Sequence, residues 1–281
     1  MDKKAVIITG GSSGMGKAMA KKQAELGWHV MVTGRNHEAL EETKKEIETF
    51  EGQVACFQMD VRSDSAASDM ITEAKKVFGR LDALINNAAG NFICPAEKLT
   101  PNGWKAVIEI VLNGTFFCSQ AAARHWIEQE QKGVILNMAA TYAWGAGAGV
   151  VHSAAAKAGV LSLTRTLAVE WGSKYGIRTN AIAPGPIERT GGAEKLFESE
   201  KAVSRTMNSV PLGRLGTPEE IAALAAFLLS DEASYINGDC ITMDGGAMAE
   251  SLPVLIYMTY FAKQANVKGD RSLVLFFYSK L

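Results

Sequence analysis

The chain is short of cysteine, of unbalanced charge and of long apolar runs. Four cysteines stand among 281 residues, Cys56, Cys94, Cys118 and Cys240, with no C-x-x-C pair and no histidine beside them at metal-ligand spacing. That scatter argues against a disulfide framework or a zinc motif and fits a reducing compartment. Lys and Arg number 29 against 30 Asp and Glu, a formal net charge of −1. There is thus no overall basic footprint for nucleic acid or for an anionic membrane surface. A bilayer span needs roughly 20 mostly apolar residues. The longest charge-free run, 133–156, is rich in Gly and Ala and broken by Asn137, Thr141, His152 and Ser153, so it falls short. The opening MDKKAVIITGG carries no apolar stretch ahead of a cleavage site. The expectation is a soluble, cytoplasmic protein with no nucleic-acid partner, no stable membrane span and no metal.

What is present is an ordinary globular balance, 47% hydrophobic and 21% charged, arranged in alternating patterns. Short apolar runs rich in β-branched residues predict strands at 5–9, 30–33, 54–59, 83–86, 134–137, 178–183 and 240–243. Helical spacing fills much of the chain between them: 15–26, 40–50, a stretch opening near Thr100-Pro101, and 162–175. Thr217-Pro218-Glu219-Glu220 is a capping box that opens another helix. Strands alternating with helices predict an α/β fold, a single doubly wound parallel sheet with helices on both faces. No composition break interrupts 1–246, so this is one domain. Residues 247–281 form an apolar extension with two charge-free runs, 252–262 and 273–278. Each is too short to span a bilayer, and truncation after Gly246 is expected to leave catalysis intact.

The first strand runs into Thr9-Gly10-Gly11-Ser12-Ser13-Gly14-Met15-Gly16 and then into a helix. Glycines there let the backbone turn and approach a pyrophosphate, and the helix N-terminus offers unpaired N–H groups and a partial positive charge. A dinucleotide is the expected ligand. An NAD site carries Asp or Glu about 20 residues past the glycines, to accept from the ribose 2′-hydroxyl. Here the second strand ends in Thr33-Gly34-Arg35-Asn36. A carboxylate would repel a 2′-phosphate, whereas Arg35 pairs with one, so the expected cofactor is NADP(H).

Those glycines, Asn86-Asn87-Ala88-Ala89-Gly90, Lys157 and Pro184-Gly185-Pro186 together resemble the short-chain dehydrogenase/reductase superfamily over about residues 3–246. The resemblance implies a Rossmann-type sheet and a homotetramer with the helices around 103–124 and 154–171 in contact. It also implies that Asn87 and Ala88 border the cofactor, that Asp60 and Val61 flank the adenine, and that Pro184, Gly185, Pro186 and Ile187 line the nicotinamide. Two departures follow. Four residues before Lys157, where the superfamily has tyrosine, stands Ser153, and where it has serine stands Ala140. Ketone reduction needs an acid to protonate an alkoxide, and a serine hydroxyl is far weaker than a tyrosine (pKa about 10) lowered by a lysine. A conjugated thioester asks for less: charge collects on the carbonyl oxygen as a dienolate, and the oxygen needs donors rather than a full proton.

The motifs around Asn86–Phe92, Val111–Thr115, Ser153 with Lys157, Pro184–Ile187 and Gly213–Thr217 are similar to one branch, the NADPH-dependent 2,4-dienoyl-CoA reductases of unsaturated fatty-acid oxidation. This resemblance implies that Tyr142 and Asn91 hold the thioester oxygen of an acyl-CoA, that Lys157 holds the nicotinamide ribose, and that Ser153 assists at the lysine. Ser153 and Lys157, four apart, share one helix face. Hydride to C5 and a proton to C2 would give a 3-enoyl-CoA. Asn113 reads as a helix residue bonded to backbone that holds a water near Lys157, and His152 as a satisfied structural histidine. Phe92 and Thr100 are candidate contacts for the acyl chain or pantetheine. Arg62, Lys98, Arg189 and Lys195 are candidates for CoA phosphates, and 188–205 for a segment closing over substrate. Two other readings stand: an NADPH enzyme for another enoyl thioester, including one on a carrier protein, and an NADP(H)-binding sensor or scaffold without catalysis.

Overall fold

The structure, a computed structural model, describes residues 3–190 and 200–249. In chain order its elements begin β1 (Ala5–Thr9), α1 (Gly14–Glu25), β2 (His29–Gly34), α2 (His37–Ile47), β3 (Val54–Gln58), α3 (Asp64–Phe78) and β4 (Ala83–Asn86). They continue α4 (Pro101–Ile108), α5 (Gly114–Glu128), β5 (Val134–Met138), α6 (Val151–Tyr175) and β6 (Arg178–Pro184). Last come α7 (Glu200–Asn208), α8 (Pro218–Leu229) and β7 (Cys240–Met243). The expected extension at 250–281 and most of the expected closing segment, with Lys195, lie outside the described residues.

β1 shows why the fold has three layers. All five of its residues are buried. Val6 and Ile8 pack on one side with Met19 of α1, Leu40 of α2 and Ile221 of α8. Ala5 and Ile7 pack on the other with Met70 of α3 and Trp126 of α5. A strand apolar on both faces needs helices on both, and parallel pairing with helical crossovers supplies them. The seven strands lie in the order β3-β2-β1-β4-β5-β6-β7, every pair parallel. The expected doubly wound sheet is therefore the observed one. The order reverses between β1 and β4, and a crevice at such a reversal, beyond the strands' carboxyl ends, is where open α/β sheets bind ligands.

Several boundaries fall where local chemistry put them. Thr217 and Glu220 exchange both capping-box hydrogen bonds ahead of α8, and α3 stops at Gly79 with φ 75°. α2 starts earlier than the periodicity predicts because the Asn36 side chain caps it, accepting from the Ala39 N–H. α6 begins at Val151, well ahead of the 162 that periodicity alone predicts, in line with the helix that the resemblance implies under Ser153 and Lys157. Its first turns carry small residues with little amphipathic signal, but Ala156 and Val160 pack against Val107 and Val111. Tertiary packing, not periodicity, sets that start.

Between α4 and α5 the chain makes a π-helical turn, Glu109–Asn113. Such turns inside α-helices recur at functional sites. The continuous helical stretch Pro101–Glu128 is the one among the described residues long and apolar enough by composition to cross a membrane. In this fold it packs against α3 and α6.

Candidate active site

The glycine loop after β1 is held open by its neighbours. The Asn87 amide donates to the carbonyls of Thr9 and Gly10, both at 3.0 Å, while the Asn87 and Ala88 N–H groups donate to Thr9 Oγ1. Gly14 sits at φ 50°, and a Cβ at Gly16 would run into the Gly10 carbonyl. The α1 N-terminus carries no acidic residue in its first turn, and Ser13 at the N-cap makes no side-chain cap bond. Its amide dipoles are thus left for an external anion. Thr9, Gly10, Ser12, Ser13, Gly14, Met15 and Gly16 make a cradle of the shape and polarity that a dinucleotide pyrophosphate requires.

At the next strand end, Arg35 is exposed and, among the described residues, forms no salt bridge, though its charge acts on Asp60 nearby. It lines an open pocket with Asn36, His37, Glu38 and Gln58. The residues expected around the adenine fall nearby: Asp60 is bound by Arg62, with Nη2 to Oδ2 at 2.6 Å, and Val61 is buried against Gly114. The Arg62 guanidinium holds the Asp60 carboxyl below its usual range. Beyond β6, Gly185 donates to the Met243 carbonyl, Gly216 donates to Pro186, and Ile187 bridges to Gly216. This fixes the Pro184–Ile187 turn at the sheet's carboxyl edge.

Tyr142 stands on a short helical turn, Thr141–Ala143, just past β5. Its hydroxyl lies 3.1 Å from Ser153 Oγ, and Ser153 is buried on α6. The expectation had Ser153 assisting at the lysine; the bond observed is to Tyr142. Lys157, one turn on, is almost wholly buried, and its Nζ donates to the Met138 carbonyl. Burial brings its pKa down from the ordinary lysine value to about 8. Ala140 is buried at the end of β5 and brings no hydroxyl. The arrangement offers two hydroxyls and one cation at a strand's carboxyl end, with no strong acid among them.

The remaining expected residues take more varied places. Asn91 Oδ1 accepts from the Phe92 N–H at 2.9 Å, so a donor role toward substrate falls to its Nδ2. Asn113 donates to Glu109 Oε2 at 3.0 Å within the π turn: a side-chain partner rather than the backbone expected for it. Phe92 is half-exposed and packs on the His152 ring, centroids 4.5 Å apart. His152 is fully buried, and neither ring nitrogen meets a hydrogen-bond partner within ordinary geometry. Its polar neighbour is the Phe92 backbone. Thr100 caps α4, accepting from the Gly103 N–H. Of the residues suggested for CoA phosphates, Arg62 is tied to Asp60 and Arg189 to Glu188 and Glu219.

The sequence reading missed a buried polar chain under the site. Asn86 donates to Ser119 and Asn137, Asn137 donates to Thr164, and Thr164 donates to the Val160 carbonyl of α6. Asn86 and Asn137 are register partners on β4 and β5. Two amides facing each other inside a parallel sheet were the available signal.

Comparison with known proteins agrees with this geometry. The family described as enoyl-(acyl carrier protein) reductase matches residues 10–248. A Bacillus subtilis protein named "Probable 2,4-dienoyl-CoA reductase [(2E)-enoyl-CoA-producing]" is 94% identical over 253 residues, covering 90% of this chain and all of that one. "Probable 2,4-dienoyl-CoA reductase 3 [(3E)-enoyl-CoA-producing]" of Caenorhabditis elegans is 42% identical over 247 residues, 86% of this chain and 80% of its own. A crystal structure of a short-chain dehydrogenase from Bacillus anthracis superposes with TM-score 0.82 at 63% identity, covering 89% of this chain and 98% of that one. With the nucleotide cradle, the strand order and these matches in agreement, the chain belongs to the short-chain dehydrogenase/reductase superfamily, oxidoreductases that use a nicotinamide cofactor.

Proposed function

We propose that the protein reduces 2,4-dienoyl-CoA thioesters with NADPH. The observation that carries the reading is the Tyr142–Ser153 hydroxyl pair beside Lys157, in a site where Ser153 and Ala140 replace the proton-donating set of ketone reductases. The names of the relatives at 94% and 42% identity favour the same substrate.

When bound, the reduced nicotinamide supplies a hydride, which goes to C5 of the diene. Lys157, held in place through the Met138 carbonyl, is set to grip the nicotinamide ribose and to lend positive potential. Tyr142 donates to the thioester oxygen, where negative charge accumulates, with Asn91 Nδ2 as second donor. Ser153 fixes the Tyr142 hydroxyl. Protonation of the dienolate at C2 gives the 3-enoyl product and at C4 the 2-enoyl product, and the relatives' names differ on this point. We assign C2 on the resemblance to the 3-enoyl-producing reductases; the name of the 94% identical relative gives the 2-enoyl product instead, and the labelling below decides between the two.

The test follows NADPH absorbance with a trans-2,trans-4-dienoyl-CoA, a 2-monoenoyl-CoA and a simple ketone. Turnover of the diene alone is expected, and NMR of product formed in deuterium oxide should place the label at C2. A label at C4 would reverse that assignment. Turnover of the monoene without the diene would favour the carrier-thioester reading that the family description suggests. NADPH binding without any turnover would favour a scaffold.

Arg35 accounts for the coenzyme preference. Arg35→Ala is expected to raise the KM for NADPH by roughly 10- to 100-fold, the scale of one charged hydrogen bond. KM for NADH should barely move. An equal rise for both coenzymes would place the 2′-phosphate elsewhere.

A further inference from the structure

Sequence spacing offers no metal motif, yet the fold assembles three ligand-bearing side chains far from the Tyr142 site. His37 opens α2 and Glu41 follows four residues later, so both lie on one helix face. Cys56 reaches that face from β3, the edge strand. The imidazole nitrogen, carboxylate oxygen and thiol sulfur all lie within 4.8 Å of one another. The Cys56 thiol donates to Glu41 Oε1 at 2.7 Å, and His37 is exposed.

We propose that His37, Glu41 and Cys56 form a zinc-binding site of three protein ligands, with water in the fourth position. Tetrahedral zinc with ligands at 2.0–2.3 Å sets them roughly 3.3–3.8 Å apart, so side-chain adjustments of about 1 Å bring these three to one ion. A thiolate and an imidazole favour zinc over magnesium or calcium, which prefer oxygen throughout. Binding breaks the S–H bond, forms a Zn–S bond and releases one proton to solvent, with no change of oxidation state. The site is independent of the reductase reading, since Glu41 and Cys56 have no part in that chemistry. It does share His37 with the wall of the pocket beside Arg35.

The experiment uses the full chain without an affinity tag or coenzyme. It is titrated with Zn²⁺ by calorimetry and with Co²⁺ by absorbance. One ion per chain is expected, with a thiolate-to-cobalt charge-transfer band in the near ultraviolet. Cys56→Ser should abolish that band and weaken zinc binding by roughly 100-fold, the upper end of what even an outer-shell partner carries. Glu41→Gln, on a helix surface, should weaken it without unfolding, while Cys94→Ser and Cys240→Ser should leave both readouts intact. Absence of the band, or zinc binding indifferent to Cys56→Ser and Glu41→Gln, would overturn the assignment. So would displacement of zinc by an equimolar amount of Mg²⁺.

Discussion

Tyr142→Phe is expected to lower kcat on a 2,4-dienoyl thioester by roughly 100- to 1,000-fold, the usual loss when one oxyanion donor is removed. The physical reason is where the charge goes. Hydride delivered to C5 pushes a full negative charge through the conjugated chain onto the thioester oxygen, and Tyr142 is proposed as the phenolic donor at that oxygen. A bond that strengthens only as charge develops affects the transition state more than the bound substrate. Thus kcat and kcat/KM should fall together, with the Kd for NADPH unchanged. The substitution also strands Ser153, whose hydroxyl is buried and bonded to Tyr142. That costs about 1 kcal/mol of stability, which thermal unfolding measures separately from rate.

Ser153→Ala provides the complementary arm. If Ser153 works by orienting Tyr142, its removal should reduce kcat less than Tyr142→Phe does. The double variant should then be no slower than Tyr142→Phe alone, because residues acting as one unit are not additive. Additive losses would instead give Ser153 its own contact with substrate. A Tyr142→Phe enzyme with normal kcat would remove Tyr142 from the mechanism altogether.

How much of this was legible beforehand depends on whether the information was local. The β1 run, the glycine loop and the Thr217 capping box are spelled within a few residues, and each stands where its letters put it. That Ser153 stands in the place of a tyrosine was legible only through the resemblance to the superfamily, which puts that tyrosine four residues before Lys157. What could not be read are pairings made across elements. Ser153 bonds to Tyr142 rather than serving the lysine only because the Thr141–Ala143 turn folds back over α6. The π turn at Glu109–Asn113 has no sequence signature and is seated by Val111 packing on Ala156 and Val160. The convergence of His37, Glu41 and Cys56 needs the register of β2 on β3, which places Val32 beside Cys56, together with α2 laid across them. In the linear sequence Cys56 looked isolated from any histidine.

Lys157 leads to the second large effect, and its sign follows from burial. An ordinary lysine titrates near 10.5, whereas desolvation lowers this one to about 8 because the charged form loses water on folding. Between those values the unfolded chain holds a proton that the folded chain has released. Stability contributed through this group therefore rises with pH across that window, and its charge is a burden on the fold below about pH 8. Function pulls the other way, because only the cation carries the charge that supports the developing oxyanion, and it is the stronger donor to the ribose hydroxyls. In the wild type, kcat/KM for NADPH should consequently decline as pH climbs through about 8, reporting the free enzyme. Lys157→Arg retains the charge and should move that decline beyond pH 10, at reduced rate because the guanidinium cannot copy an ammonium's geometry. Lys157→Met should lose at least about 100-fold in kcat/KM at pH 7, since ribose grip and charge support both disappear. Burial also raises the Cys56, Cys118 and Cys240 thiols, whose contribution to stability falls above about pH 9, so the readout is the difference. The gap between wild-type and Lys157→Met denaturant midpoints should shift in favour of the wild type between pH 8 and 10. If the variant keeps the wild-type slope there, another group carries the titration. If wild-type kcat/KM instead stays flat up to pH 10, the cationic form of Lys157 is not what the reaction uses.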